Sequence, residues 1–236
     1  MAMTSSANSS SGGRGGVACG AARAPWPTLA ATVVVALAGC AALYQATLGL
    51  RVVSTEDGRR LAIAEAPRAV PAAALDWRAR PRLDATLRAD GRVAIVAFIY
   101  TSCNAVCSVL GSQFQQLQQA IVARGLQGKV RLLSISFDPR DDTATLAAYA
   151  QRQHADAAAW QFAGIPVAAE RRAVLATFGV VVVPAPLGEF VHNAAFHIVD
   201  TRGRLARIDD IDRPEQALAD AVALYDASAT HDAGPR

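Results

Sequence analysis

Lysine is almost missing from this chain: Lys129 is the only one among 236 residues, and the arginines are scattered among acids instead of gathered in a stripe. A net charge of +3 spread that way gives no surface that would track phosphates, which sets nucleic acid aside as a partner. Methionine is equally scarce. Met1 and Met3 are the only two, so the folded part has no thioether ligands to offer a soft metal. Cysteine is too rare for a disulfide-dense secreted scaffold, with Cys19 in a polar tail, Cys40 in an apolar run, and one pair, Cys103 and Cys107, left for the rest. No internal repeat is visible.

The chain begins with a stretch of Ser, Gly and Ala. Residues 1–23 bury too little apolar surface to offset the entropy of ordering, and are expected to be a disordered tail. Residues 24–50 then run without a formal charge, longer than the roughly 20 residues a helix needs to cross a bilayer. Two readings of that run stand side by side. Leu37, Ala38, Gly39 and Cys40 resemble a lipobox, at which a lipoprotein is cleaved and acylated on Cys40. The residues after Cys40 stay apolar to Leu50, which suits an uncleaved transmembrane anchor. Arginines flank the run on both sides, at Arg14 and Arg23 before it and Arg51, Arg59 and Arg60 after it, so charge does not decide the orientation. Residues 51–74 mix charges and prolines and read as a tether or as strands leading into the domain, and residues 229–236 as a polar tail.

Residues 75–228 carry the pattern of one α/β domain. Val93 to Tyr100 is a short apolar run rich in β-branched and aromatic residues, as in a fully buried strand. Val109, Leu110, Phe114, Leu117, Ile121 and Val122 recur at helical spacing within Ser108 to Arg124, closing at Gly125. Val130 to Phe137 is a second strand, ended by Asp138 and Pro139. Asp142 and Thr143 can cap a helix running to His154. A short strand at Trp160 to Ala163, a helix at Ala168 to Phe178, strands at Ala194 to Asp200 and Arg204 to Ile208, and a helix from Pro214 to Asp226 complete the order. Strands alternating with helices, followed by a hairpin and a last helix, predict a thioredoxin-like sandwich with a mixed central sheet.

Cys103 and Cys107 stand where the first strong strand gives way to a helix. The unpaired N–H groups of a first helical turn favour a thiolate, and residues four apart on a helix share one face. That geometry leaves both a shared metal ion and a disulfide open. A structural disulfide is the bland alternative, but closing so short a loop removes little chain entropy.

These features together resemble the SCO1/SenC family, membrane-tethered copper-binding proteins of the thioredoxin superfamily that serve cytochrome c oxidase assembly. The resemblance covers roughly Trp77 to Asp226 and rests on Phe98 to Cys107 (FIYTSCNAVC), Asp138 to Thr143 (DPRDDT), Trp160 to Gly164 (WQFAG), Phe178 to Val180 (FGV) and His192 to Gly203 (HNAAFHIVDTRG). It implies copper held by Cys103, Cys107 and His192, two thiolates and an imidazole suited to copper(I). It also implies delivery to the oxidase subunit that carries a dinuclear copper centre, from an inner-membrane anchor with the domain on the periplasmic side. The family usually has proline after each cysteine and aspartate before the histidine. Here those positions hold Asn104, Ser108 and Val191, which leaves the loop less rigid.

Other residues have plainer explanations. His197 lies five positions beyond His192, an odd spacing that puts the two on opposite faces if one strand holds both, and its apolar neighbours place it in the core. His154 falls near a helix C-terminus, His231 in the tail, and Trp160 fills core space. Asp138 reads as a turn former before Pro139, or as a group that orients a ligand. A second function uses the same thiols: a thiol-disulfide oxidoreductase in which Cys103 attacks a partner disulfide and Cys107 resolves the mixed species. A peroxidase fits less well, because Thr101 precedes Cys103 by two residues and not three. A tethered interaction domain with an inert disulfide is the remaining alternative.

Overall fold

The computed structural model describes residues 26–47, 49, 54–77, 79–102 and 106–232, and divides into two units, residues 1–51 and 52–236. Among its described residues the first unit holds one helix, α1 (Trp26–Ala46), with Cys40 exposed and free within it. Its 21 residues span about 32 Å at 1.5 Å per residue, enough to cross a bilayer's hydrocarbon core. None of its side chains is buried by protein, and it is a candidate membrane anchor.

The second unit contains, in order, α2 (Thr55–Glu65), β1 (Arg68–Ala69), α3 (Leu83–Arg88), β2 (Val93–Ile99), α4 (Val106–Ala123), β3 (Val130–Ser136), α5 (Thr143–Arg152), β4 (Trp160–Gly164), α6 (Ala168–Phe178), β5 (Val182–Pro184), a single 3₁₀ turn (Pro186–Gly188), β6 (Phe190–His192), β7 (Phe196–Val199), β8 (Arg204–Asp209) and α7 (Pro214–Asp232). Six strands form one mixed sheet in the order β1-β8-β7-β2-β3-β4, while β5 and β6 form a separate two-stranded ribbon. Strands β2, β3 and β4 run parallel, so their C-terminal ends emerge along one edge. Strands β7 and β8 return antiparallel. This is the thioredoxin-like sandwich that the alternation of elements predicts.

Strands β2 and β3 are buried at every position, which explains why they read as unbroken apolar runs. Side chains alternate between the two faces. On one face Phe114 of α4 packs against Trp160 and Phe196. On the other, Phe98 meets Phe178 of α6 and His197 of β7. The indole N–H of Trp160 donates to the Ser134 hydroxyl at 2.9 Å, so the buried tryptophan leaves no donor unpaired.

The segment expected as a tether contains structure of its own. Ser54 and Asp57 form a reciprocal cap at the start of α2, Ile63 of that helix is buried in the core, and β1 pairs with β8. An isolated Ser-x-x-Asp before a weakly apolar stretch carried too little periodicity to reveal this helix. The cap on α5 is as expected, with Asp142 accepting from the Thr145 N–H at 2.7 Å. The last helix runs beyond Asp226 to Asp232.

Candidate functional site

Three chain segments meet at the C-terminal edge of the parallel strands: the exit of β2, the exit of β3 and the β5–β6 ribbon. The exit of β2 leads through Tyr100 and Thr101 toward the cysteines. Cys107 stands in the first turn of α4, as its place after the strand predicted. Cys103 lies outside the described residues, as does the side chain of Cys107, so the expectation that both sulfurs share one helical face falls outside them too.

The start of the cysteine segment is tied to the exit of β3 by a single carboxylate. Asp141 accepts the Thr101 N–H at 2.9 Å, the Thr101 hydroxyl at 2.5 Å and the Ser136 hydroxyl at 2.6 Å. Thr101, two residues before Cys103, is thereby held by two hydrogen bonds to a charged acceptor, the stronger kind. From the sequence alone Asp141 stands out only as part of the DPRDDT run. Nothing in the spacing of the three aspartates in DPRDDT reveals which of them reaches across to the neighbouring strand.

Asp138, read as a turn former, does that and more. It accepts the Arg140 N–H at 2.9 Å and holds the Arg140 guanidinium in a two-point grip at 2.6 and 2.9 Å. Burial pushes its carboxyl up, yet Arg140, with Arg171 further off, draws it below the usual carboxylate range. Arg140 then reaches the ribbon, donating to the Gly188 carbonyl at 2.7 Å and covering the Phe190 ring with its guanidinium 5.4 Å from the centroid.

The ribbon carries His192 as its last residue, with Val182 opposite it, Val183 opposite Val191 and Pro184 opposite Phe190. Asn193 closes the neck, accepting the Val181 N–H at 2.7 Å and donating to the Gly179 carbonyl at 3.0 Å. The neck begins at Gly179, whose φ of 65° ends α6 in the left-handed region. A β-carbon there would run into the Arg59 guanidinium, which itself donates to the Phe178 carbonyl at 2.5 Å.

The His192 ring is half-buried, 5.0 Å from the Phe137 ring and 6.3 Å from that of Tyr100, so it stands where β2 and β3 end. Its Nδ1 lies 3.3 Å from the Asn193 carbonyl. A carbonyl only accepts, so that bond exists with the proton on Nδ1 and the lone pair on Nε2. Nε2 is buried and has no hydrogen-bond partner among the described residues. Burial lowers the pKa of the ring, opposed by the Asn193 carbonyl, so the neutral imidazole is favoured. A neutral ring with a fixed tautomer and an unengaged Nε2 is the form in which histidine donates to a metal.

His197 differs in its surroundings. It is 1% exposed, in β7 opposite Val96 and Ile208, with its ring edge-on to Phe98 and Phe178. The two histidines occupy different strands with Asn193 to Ala195 between them, so the parity argument that separated them did not apply. The core position that its apolar neighbours predict for His197 is the one observed. His154 follows α5 in a left-handed conformation, near the helix C-terminus as expected.

Comparison with known proteins gives one answer. The family model for SCO1/SenC matches residues 83–225. Among solved structures, a SCO1/SenC family lipoprotein from Bacillus anthracis is 19% identical and superimposes with a TM-score of 0.58, covering 67% of this chain and 97% of its own. BsSco, a member of the Sco family of cytochrome c oxidase assembly proteins studied for a disulfide switch, is 21% identical with a TM-score of 0.57, covering 68% and 95%. ScoI from Bradyrhizobium japonicum, solved with copper bound, is 25% identical with a TM-score of 0.52, covering 66% and 99%. No curated protein is similar enough to count as a match.

Proposed function

Because the chain belongs to the SCO1/SenC family, we propose that it is a membrane-anchored copper metallochaperone that takes copper as cargo on Cys103, Cys107 and His192 and assists assembly of the copper centre of cytochrome c oxidase. The observation that carries this reading is the His192 imidazole, half-buried and with Nε2 lacking a hydrogen-bond partner among the described residues, at the edge where the strand leading to the cysteines leaves the sheet. Two thiolates with one imidazole suit copper(I), which prefers soft donors and leaves such a site by exchange of ligands. The copper-bound relative from Bradyrhizobium japonicum supports the choice of metal. The recipient in this reading is the oxidase subunit with a dinuclear copper centre.

In the same reading α1 crosses the inner membrane and the folded domain that follows it, which includes α2 and β1 and ends with α7, acts on its periplasmic side. The lipoprotein among the relatives keeps acylation at Cys40 as the alternative anchor. The mass of the mature protein separates the two, because cleavage before Cys40 removes the first 39 residues.

A thiol-disulfide oxidoreductase is the second reading, favoured by the place of Cys107 in the first turn of α4, where helix N–H groups stabilise a thiolate. The experiment that decides is a titration of the reduced full chain, in detergent, with copper(I) against a competing chelator. One copper per chain is expected, and His192→Ala should weaken binding at least tenfold, about 1.4 kcal/mol. Unchanged binding in that variant, with efficient reduction of a model disulfide, would replace the metallochaperone by the oxidoreductase.

A further inference from the structure

The ribbon that carries His192 makes no ladder hydrogen bonds with the six-stranded sheet. Between its neck at Asn193 and its tip, polar contacts among the described residues fasten it at two points. The first is Tyr100, whose hydroxyl donates to Glu189 Oε2 at 2.7 Å, accepts the Phe190 N–H at 3.4 Å and lies 3.2 Å from the Phe190 carbonyl. The second is Arg140, gripped by Asp138, on the Gly188 carbonyl and the Phe190 ring. Both fastenings originate at strand exits, Tyr100 directly after β2 and Arg140 four residues after β3. Both end within four residues of His192.

The spacing makes this a lever. His192 and Phe190 lie on one strand two residues apart and so project to the same side. The Phe190 ring packs 5.2 Å from Tyr100 and 5.6 Å from Phe137, and the His192 ring packs against the same two rings. Whatever seats Phe190 therefore seats His192. At Gly188, φ is 76° and a β-carbon would come 2.9 Å from the Arg140 guanidinium, so the tip approaches Arg140 as closely as a glycine permits.

We infer that Tyr100 and Arg140 are positioning residues, a pair of releasable polar latches that hold the β5–β6 ribbon against the strand exits and so fix where His192 presents Nε2. The inference rests on the metallochaperone reading for its consequence and on the contacts above for its mechanism. Tyr100 is 2% exposed and keeps its ring in Tyr100→Phe, losing only the hydroxyl. Arg140 is largely exposed, so Arg140→Gln removes the grip without opening the core.

The test uses the full chain in detergent, with two readouts for the double variant Tyr100→Phe/Arg140→Gln. Amide hydrogen exchange compares the ribbon, 182–192, with β3, and copper(I) affinity is measured by chelator competition. The expected result is ribbon exchange about tenfold faster with β3 unchanged, together with copper affinity reduced about tenfold. Glu189→Gln, which keeps an acceptor oxygen for Tyr100, should retain most of the affinity that Glu189→Ala loses. Unchanged ribbon exchange in the double variant overturns the latches, whatever copper does. Faster exchange with undiminished copper affinity overturns their positioning of His192. A parent protein that binds no copper overturns the metallochaperone reading and the positioning with it, while the exchange comparison still judges the latches by themselves.

Discussion

The β5–β6 ribbon and the six-stranded sheet each hold one histidine, half-buried in the ribbon and fully buried in the sheet, and the contrast shows what burial alone does not tell. Among the described residues both rings have nitrogen atoms without hydrogen-bond partners, and burial lowers the pKa of both. His197 is enclosed by Phe98 and Phe178 in the middle of a sheet. Its orphaned nitrogens face no opening, and they are a cost that the surrounding packing offsets. His192 stands on a ribbon outside that sheet, against rings that mark the strand exits. An unpartnered nitrogen points to a ligand only where a ligand can arrive.

The sharpest way to break this comparison is to damage each region in turn. Phe196→Ala empties a fully buried position between α4 and β7 and should cost about 3 to 5 kcal/mol in chemical denaturation. Val191→Ala, in the ribbon and 64% exposed, should stay within about 0.5 kcal/mol. Comparable losses would mean that the ribbon is as integral to the fold as the sheet.

A second test exchanges the histidines. His197→Leu replaces unpartnered nitrogens by apolar atoms and should stabilise the protein by about 1 kcal/mol while leaving copper(I) affinity unchanged. His192→Leu should leave stability nearly unchanged and remove tight copper binding. Reversed effects would exchange the roles assigned to the two residues.

The pH dependence gives the smallest and finest discrimination. His197, held at about 4 by burial and by the charge of Arg59, binds its proton less readily folded than unfolded. It therefore contributes stability above about pH 6.5 that is lost as pH falls toward 4. Asp209 does the opposite. Burial and the neighbouring Asp220 raise it to about 6, so its contribution is complete below about pH 4 and is lost as pH rises through 6. Melting temperatures of Asp209→Asn between pH 4 and 7 should rise more steeply with pH than those of the parent, and His197→Leu less steeply.

Much of this was readable in the sequence where burial is complete. Strands β2 and β3 are buried at every residue and so appear as unbroken apolar runs, and α6 was bounded to the residue because Phe178-Gly179 ends it with a left-handed glycine. The ribbon was not legible. None of its six strand residues is fully buried, and its shape comes from Asn193, Tyr100 and Arg140, which lie outside its strands. The α2 helix escaped notice for a similar reason, since only Ile63 among its residues is buried. For the site, family resemblance named His192, and the exits of the strands were visible. Asp141 and Arg140 were not, because a hydrogen bond between two loops leaves no periodic trace in either.

Asn193 ties the residue before β5 to the end of α6, so the ribbon is closed at its root independently of what happens at its far end. The far end is Leu187, wholly exposed and in a left-handed conformation that leucine adopts at a cost. The Leu187 side chain therefore lies outside the contacts of Gly188, Glu189 and Phe190 that seat the imidazole, and the outline that it presents to other molecules can change without dislodging the donor. Such a division gives one part of a short segment the freedom to adapt while its neighbour stays under strict control.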